Sequence, residues 1–356
     1  MSESEGCTDL LLFNPLLEAL SNINNNTNNE YHNPYSRSLQ LCLFFLLLTF
    51  LVSTLTQNYS QVDKLWSITP ILYALLCITD TRTFIMAALV SIWGMRLTYN
   101  FYRRGGYKWP PWDGEEDYRW KLVQNGAFMD ILRNRVVWII FNFVFISGYQ
   151  MLLLWLVATP SLVAYTMAAQ QQQQLGTESP SPCGAVYSPY NVYGLDGIAT
   201  ILFLFFVGIE AIADKQQYTF QTEKYRKIHA KEELTGEYAD GFCQSGLFGV
   251  LRKPNYAAEQ SIWITYYLFS VAAMKDGEGS VWWNWSAIGW ILLVALFYFS
   301  GNLTENITLE KYPIYRQYQR SVGCYVPFVV PFLWKLFGSK DDGDDSEGKL
   351  EEKKKK

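Results

Sequence analysis

Histidine is nearly missing from this chain. Only His32 and His229 occur among 356 residues, so no histidine cluster of the kind a di-iron desaturase or hydroxylase needs can be assembled, and one large class of membrane lipid enzymes is excluded. The six cysteines, Cys7, Cys42, Cys77, Cys183, Cys243 and Cys324, show no CxxC spacing. Neither a zinc site nor a disulfide framework is indicated, and no metal is expected. Cys42 and Cys77 fall inside apolar runs, where a thiol packs as a small hydrophobe. No GxGxxG follows a strand and no GxxxxGKS or GxxxxGKT occurs, so any nucleotide is held by something other than a Rossmann turn or a P-loop. No internal repeat is apparent, which weighs against an inverted-repeat transporter. Charged residues make up 17% of the chain with a net charge of −4, and nothing marks a nucleic-acid partner.

What the chain does have is long apolar runs. Half of it is hydrophobic, yet the mean hydropathy is near zero, because polar ends dilute apolar blocks. These blocks are Leu39 to Leu55, Leu65 to Ile78, Thr83 to Tyr102, Val136 to Ala158, Leu195 to Ala213, Tyr256 to Ala273 and Val281 to Ser300. Since about 20 residues cross a bilayer, the expected fold is an all-α polytopic membrane helix bundle of about seven transmembrane helices. The second run is short and contains Pro70, which makes it a candidate for a kinked or re-entrant segment.

The loops set an expected orientation. Pro160 to Gly194 contains no Lys or Arg, whereas the loops on either side carry Arg103, Arg104, Lys108, Arg119, Lys121, Arg133 and Arg135, and Lys215, Lys224, Arg226, Lys227, Lys231, Arg252 and Lys253. The basic loops are therefore expected in the cytosol and the Gln-rich loop in the lumen, with a lumenal N-terminus for seven helices and a cytosolic one for six. Residues 1–38, Asn-rich and without a signal-peptide cleavage site, read as a disordered extension. Residues 39–335 read as the membrane domain, and 336–356 as a charged disordered cytosolic tail. In that tail Lys353 and Lys354 have the spacing of a dilysine retrieval signal to the endoplasmic reticulum; a solvated charge run is the other reading.

The most informative stretch is GLFGVLRKPNYAAEQSIW, Gly246 to Trp263, which carries Arg252, Lys253, Asn255 and Glu259 into an apolar run. A carboxylate one turn into a bilayer segment costs several kcal/mol, about 2.5 to 3.5, so Glu259 requires a polar partner, a hydrated cavity or a ligand. In VGIEAIAD, Glu210 and Asp214 share one helical face, where two carboxylates repel each other unless a cation, a proton or a donor-rich ligand intervenes; a solvated helix end is the alternative for Asp214. Arg96, Asn100 and Arg103 also share a face, with Tyr99 and Tyr102 alongside. Such a face suits bidentate phosphate recognition, or else a snorkelling positive-inside anchor. Asp63 before Ser67, Thr69 and Pro70 offers an acid near the second helix, or a helix cap. Beyond Ser300, Asn302 and Glu305, the stretch with Tyr312, Tyr315, Arg316 and Tyr318 reads as an amphipathic segment in the cytosolic interface, or, carrying both Tyr and Arg, as one that closes over a bound nucleotide.

GIEAIAD, SGLF, LRKPNYAAE and LEKYPIYRQYQRSVGCYVPF, in that order and spacing, resemble the C-terminal domain of the steroid 5-alpha-reductase family. The chain looks closest to that family's uncharacterised DUF1295-type membrane branch, over about Asp63 to Phe328. The resemblance implies NADPH-dependent reduction of a conjugated carbon–carbon double bond in a lipid substrate such as a sterol, polyprenol-like or acyl lipid, with an acid stabilising the enolate oxygen. By motif position it implies that Asp214, Asn255 and Glu259 contact the dinucleotide, that Glu210 stands where an amide is frequent, and that Arg252 and Tyr256 face phosphate and ring. Arg96 and Arg103 are further candidates for phosphate.

The departures from the pattern are specific. Lys253 replaces the usual His, Ala258 stands where Gly is common, and WSITP lacks the Glu that steroid-reducing members place before the Pro of the second helix. Asp63 with Tyr99 is then the candidate for the acid, and testosterone-like steroids are expected to be poor substrates. Two readings from other classes remain open: an S-adenosylmethionine-dependent methyltransferase of the isoprenylcysteine type, which shares RxPxYxxE, and a non-enzymatic scaffold or transporter.

Overall fold

The computed structural model describes residues 33–127, 129–174, 194–274 and 282–325. Thirteen α-helices order these residues: α1 Pro34–Thr56, α2 Gln61–Leu65, α3 Thr69–Leu76, α4 Thr81–Arg103, α5 Tyr118–Leu122, α6 Arg135–Phe141, α7 Gln150–Ala158, α8 Pro160–Gln174, α9 Gly194–His229, α10 Glu237–Asp240, α11 Pro254–Met274, α12 Ala287–Lys311 and α13 Tyr315–Ser321. A π-helical segment, Asn142–Tyr149, joins α6 to α7. Among the described residues there is no strand beyond one isolated parallel bridge, Leu251 to Gly323. The expected disordered extension, through residue 32, and the charged tail at 336–356 with Lys353 and Lys354 lie outside the described residues, as does most of the lysine-free loop.

Five helical stretches among the described residues are long and apolar enough to cross a membrane: Pro34–Thr56, Thr81–Arg103, Arg135–Gln171, Gly194–His229 and Ala287–Lys311. The chain thus reads as an integral membrane protein with an all-helical fold. The two remaining apolar runs differ from the simple expectation for physical reasons. Leu65 to Ile78 is not one helix: α2 ends at Leu65 and α3 begins at Thr69 with Pro70 in its first turn, leaving eight residues of helix, roughly 12 Å and far short of a bilayer core. The run Tyr256 to Ala273 lies in α11, whose apolar character is diluted by Glu259, Gln260, Ser261, Thr265 and Ser270.

Helix ends also shift. Asn33 accepts the Tyr35 N–H at 3.0 Å and Pro34 opens the helix with its fixed φ, so residues 34–38, expected to be part of the disordered extension, are helical. Gln170 to Gln174, expected in a loop, continue α8. Helix α9 runs on past Ala213 to His229, because Lys, Gln, Tyr and Glu sustain a helix after the apolar run stops.

The chain forms two compact units, one made of Met1–Gly208 with Glu259–Phe297, the other of Ile209–Ala258 with Tyr298–Lys356. In the first unit α1 is inverted relative to a soluble helix. Its large side chains Leu43, Phe44, Leu47 and Leu51 are exposed, while Ser38, Cys42, Thr49 and Ser53 are buried. Without a hydrophobic drive between helices in lipid, close approach and interhelical hydrogen bonds hold the helices together. Trp155 Nε1 donates to Ser38 Oγ at 3.0 Å, and Asn142 Nδ2 donates to Ser53 Oγ at 2.9 Å and to Thr54 Oγ1 at 3.1 Å. Gly94 of α4 permits contact with the α2–α3 turn, since a Cβ there would lie 2.5 Å from the Ser67 carbonyl oxygen and 2.5 Å from Ile71 Cδ1.

A buried ion pair joins α4 to α9 within the same unit. Arg82 Nε meets Asp196 Oδ1 at 3.0 Å and Nη2 meets Oδ2 at 3.1 Å, a bidentate pair, with side chains 3% and 1% exposed. Removing one partner leaves a buried charge uncompensated. Asp196→Ala is expected to lower stability by about 3–5 kcal/mol, read as thermal unfolding in detergent, whereas Arg82→Met combined with Asp196→Leu is expected to cost much less. Equal losses in the single and double variants would show that the pair is not what holds these helix ends.

Candidate functional site

The four motifs behind the resemblance fall largely in the second unit, and side chains connect them there. Gln216, in the ADKQ stretch of α9, accepts the Leu247 N–H at 3.0 Å and so fixes the SGLF turn. Gly246 makes this possible: its φ is +60°, and a Cβ would stand 2.3 Å from Gln216 Nε2. Glu237 accepts the N–H groups of Gln244 at 2.9 Å and Ser245 at 3.1 Å. Lys224, buried on α9, donates to the Gly241 carbonyl at 2.7 Å and shares a hydrogen bond of 2.9 Å with the Tyr312 hydroxyl. At Gly241, with φ of +90°, a Cβ would lie 2.2 Å from the Tyr312 ring.

Arg252 is the centre of this unit. Its Nε donates to Glu305 Oε1 at 2.7 Å and its Nη2 to Oε2 at 3.1 Å, while Nη1 donates to the Gln319 carbonyl at 3.0 Å and to that of Val322. Glu305 also accepts from Tyr315 Oη at 3.1 Å and Gln319 Nε2 at 2.9 Å. The backbone adds Arg252 N to Gly323 O at 2.8 Å and Lys253 N to Cys324 O at 3.2 Å. Both ions are about nine-tenths buried, at 8% and 10% exposure. Desolvating them costs several kcal/mol each, so the bidentate geometry and the additional hydrogen bonds are what make the pair tolerable. Arg252, expected to face phosphate, is committed to holding α12 and α13 to the start of α11. Tyr315 and Tyr318, expected on an interfacial surface, are 4% and 7% exposed and pack with Phe242.

Of the other motif residues in this unit, Glu210 and Asp214 are each 5% exposed on α9, one turn apart as the spacing implied. Asn255 is half-buried in the first turn of α11, and its amide makes no hydrogen bond to a described residue. Tyr256 is half-buried beside it, with Lys253 Nζ 5.6 Å from its ring centroid. Lys253 also donates to Thr304 Oγ1 at 2.9 Å.

In the first unit Glu259 finds its partners in two indoles. Trp93 Nε1 donates to Glu259 Oε2 at 2.8 Å and Trp263 Nε1 to Oε1 at 3.0 Å. The carboxylate is 3% exposed and the two rings 0% and 2%, their centroids 4.9 Å apart in an edge-to-face arrangement. Each oxygen has an indole donor, inside an apolar cluster that includes Phe203, Ile262 and Tyr266. Trp263 stands four residues after Glu259, a spacing visible in the sequence; Trp93 is far away in the chain and carries no such signal.

Asp63 lies in α2, half-buried, and its electrostatic neighbours are Ser60, Asp117, Arg119 and Trp120. Burial, and then the nearby Asp117 carboxylate, push its carboxyl up to about 6 against the hydrogen bond from Ser60 and the Arg119 charge. Tyr99 is not among these neighbours: it is 64% exposed with the Arg103 guanidinium 6.0 Å from its ring centroid. Arg103 donates to Asn100 Oδ1 at 2.9 Å. Arg96 is half-buried on the same helix. The charge next to Asp63 that sequence reading overlooked is Lys64, 6% exposed, whose ammonium donates to the carbonyls of Asp113 at 2.6 Å and Pro111 at 3.1 Å. Among the described residues no cluster of His, Cys, Asp and Glu is arranged to hold a metal ion.

Comparison with known proteins gives a family and no activity. The model of a family described as "Protein of unknown function (DUF1295)" matches residues 49–322. A curated protein from Schizosaccharomyces pombe (strain 972 / ATCC 24843), described as "Uncharacterized protein C594.04c", is 34% identical over 300 residues, covering 80% of this chain and 77% of that protein. No solved structure matches.

The raised carboxyl of Asp63 predicts a pH dependence of definite sign. The folded chain takes up this proton more readily than the unfolded chain, so the site's contribution to stability declines as pH rises from the ordinary value of 3.8 through about 6. Asp63→Asn is expected to flatten that decline and to raise the melting temperature at neutral pH relative to wild type, measured in detergent across the window. A melting temperature lowered by the same amount at every pH would instead assign Asp63 a purely structural hydrogen bond.

Proposed function

The chain belongs to the DUF1295 family, and from that premise we propose that it is an NADPH-dependent membrane oxidoreductase that reduces a conjugated carbon–carbon double bond of a lipid. The observation that supports this reading is that the LRKPNYAAE entry and the last motif are tied to each other through Arg252 and Glu305, while the SGLF turn is held by Gln216 of α9 and by the Tyr318 hydroxyl. A likeness of order and spacing corresponds there to physical contacts between the SGLF turn, the LRKPNYAAE entry and the last two helices. The proposal includes the finer topology: about seven membrane segments, with α3 re-entrant and α11 as the polar-cored member, the basic loops in the cytosol, and residence in the endoplasmic reticulum.

The residues that would hold NADPH form a smaller set than the motif implies. Arg252 and Glu259 have their hydrogen-bonding groups engaged by Glu305, backbone carbonyls and two indoles, so their part is to hold the second unit and the first-unit core in shape. Asn255, whose amide makes no hydrogen bond to a described residue, would orient the dinucleotide, with Tyr256, Asp214 and Glu210 as the further residues that the resemblance brings to it. When bound, NADPH supplies a hydride to the carbon beta to the carbonyl. That reaction also needs an acid to protonate or hydrogen-bond the enolate oxygen, and Asp63, whose carboxyl burial pushes up to about 6, is proposed for the role on its chemistry alone. The buried apolar and aromatic side chains of α11, Trp263, Tyr266 and Tyr267 among them, keep the interior dry, which favours a lipid substrate. Sterol, polyprenol-like and acyl lipids all satisfy that chemistry.

NADPH at a hundredfold excess over its dissociation constant is expected to stabilise the detergent-solubilised protein by about 2.7 kcal/mol, and Asn255→Ala to remove most of that gain while leaving the unliganded melting temperature near wild type. Lipid profiling of a deletion strain is expected to show one species rising and a partner, heavier by two hydrogens, falling. Stabilisation by S-adenosylmethionine with a shift of one methylene would favour the methyltransferase, and no response to either nucleotide would overturn the enzymatic reading.

A further inference from the structure

The loop 104–117, between α4 and α5, combines rigidity with exposed tryptophan. Trp109 is 87% exposed and Trp112 is 53% exposed, an expensive display for a surface facing water. The loop is nevertheless tightly closed. Glu115 N donates to the Gly105 carbonyl at 3.0 Å, and Gly106 N to the Phe101 carbonyl at 3.1 Å. Gly105 and Gly114 take φ of +81° and +133°, and a Cβ on Gly114 would lie 2.3 Å from the Gly106 carbonyl oxygen. Side chains of 58–64 brace it from below: Lys64 to the Asp113 and Pro111 carbonyls, Gln61 Nε2 to the Trp112 carbonyl at 2.8 Å, and Asn58 Nδ2 to the Gly114 carbonyl at 3.2 Å. Burying a lysine to fix the backbone that carries two exposed indoles makes sense when the indoles have a destination.

Charge near the tip is muted. Lys108 bridges to Glu115 at 2.8 Å, and Asp113 Oδ1 accepts the Gly114 N–H at 2.7 Å. Both flanking segments leave helices long and apolar enough to cross a membrane, α1 ending at Thr56 and α4 at Arg103. At those same ends Leu55 is 83% exposed, Tyr99 64% and Tyr102 63%. The exposed apolar surface of the spans thus runs on to their ends, where aromatic rings take over. Trp and Tyr, apolar in body and polar at one edge, concentrate at the level of lipid headgroups.

We infer that loop 104–117 is a preformed interfacial anchor whose Trp109 and Trp112 insert among phospholipid headgroups, with Tyr99 and Tyr102 in the same belt. The partner is the bilayer itself, and Lys64 is the brace that holds the hook in shape. This inference does not depend on the reductase reading, and it gives Tyr99 a role facing lipid instead of one facing a substrate carbonyl.

The test places the photocrosslinking residue p-benzoylphenylalanine at position 109 or, as a control, at the exposed loop position of Glu233 in the full-length protein. Each variant is reconstituted in phosphatidylcholine vesicles, irradiated and weighed by intact mass. A phospholipid adduct about tenfold more abundant at 109 than at 233 is expected for an interfacial tryptophan. Equal yields at the two positions, no lipid adduct, or an adduct to protein alone at 109 would overturn the anchor. With the crosslinker at 109, Lys64→Met is expected to cut the lipid yield several-fold while elution from size exclusion stays unchanged; an unchanged yield would overturn the bracing. Should that variant fail to fold, the comparison of 109 with 233 still decides the anchor.

Discussion

Everything in the second unit depends on a guanidinium and a carboxylate that could not remain buried without each other. Arg252 enters at the start of α11 and Glu305 lies near the end of α12. Their bidentate pair is completed by Tyr315, Gln319 and the last carbonyls of α13. Among the described residues of this unit the buried apolar groups form two small clusters, around Phe220 with Phe248 and around Phe242 with Tyr315. In such a setting a satisfied buried pair specifies geometry more than it adds stability. It defines which turn meets which helix end, and so where Asn255 and Tyr256 begin α11.

The first unit solves the same problem in a different medium. In lipid, apolar contact between helices has no advantage over contact with acyl chains, so specificity comes from small residues and from polar groups with partners. Ser38, Ser53 and Asn142 link α1 to the π-helical turn and α7, Gly94 brings α4 against the α2–α3 turn, and Arg82 clasps Asp196. Glu259 is the most demanding case. Two indole N–H groups, one from each of two helices, donate to its two carboxyl oxygens inside the apolar cluster.

Much of this was legible in residue types, and the rest was not for one recurring reason. Apolar runs marked the crossing helices, and Pro70 marked the break that divides the second run. The cost of a carboxylate in a membrane entry showed that Glu259 needed a polar partner, a hydrated cavity or a ligand, and a one-dimensional pattern could not point to a tryptophan 166 residues away. Arg252 is a related case: an arginine beside a nucleotide-like motif suggests phosphate, and the Glu305 that pairs with it is 53 residues distant. Helix α9 was cut short because hydropathy cannot follow a helix past its apolar part, although its later residues have good helix propensity. Tyr315 and Tyr318 looked interfacial because alternation with charge resembles a surface helix; their rings face Phe242 instead.

The central claim is that Arg252 is a structural tie whose energy resides in its contact with Glu305. A double-mutant cycle with Arg252→Met, Glu305→Leu and both together, read by thermal unfolding of the full-length protein in detergent, tests it most directly. Each single change is expected to cost about 3–5 kcal/mol, because it strands the other charge. The double variant is expected to cost well under the sum, leaving a coupling energy of about 2–3 kcal/mol. Strictly additive losses would contradict the account and return Arg252 to the role of a ligand-binding residue.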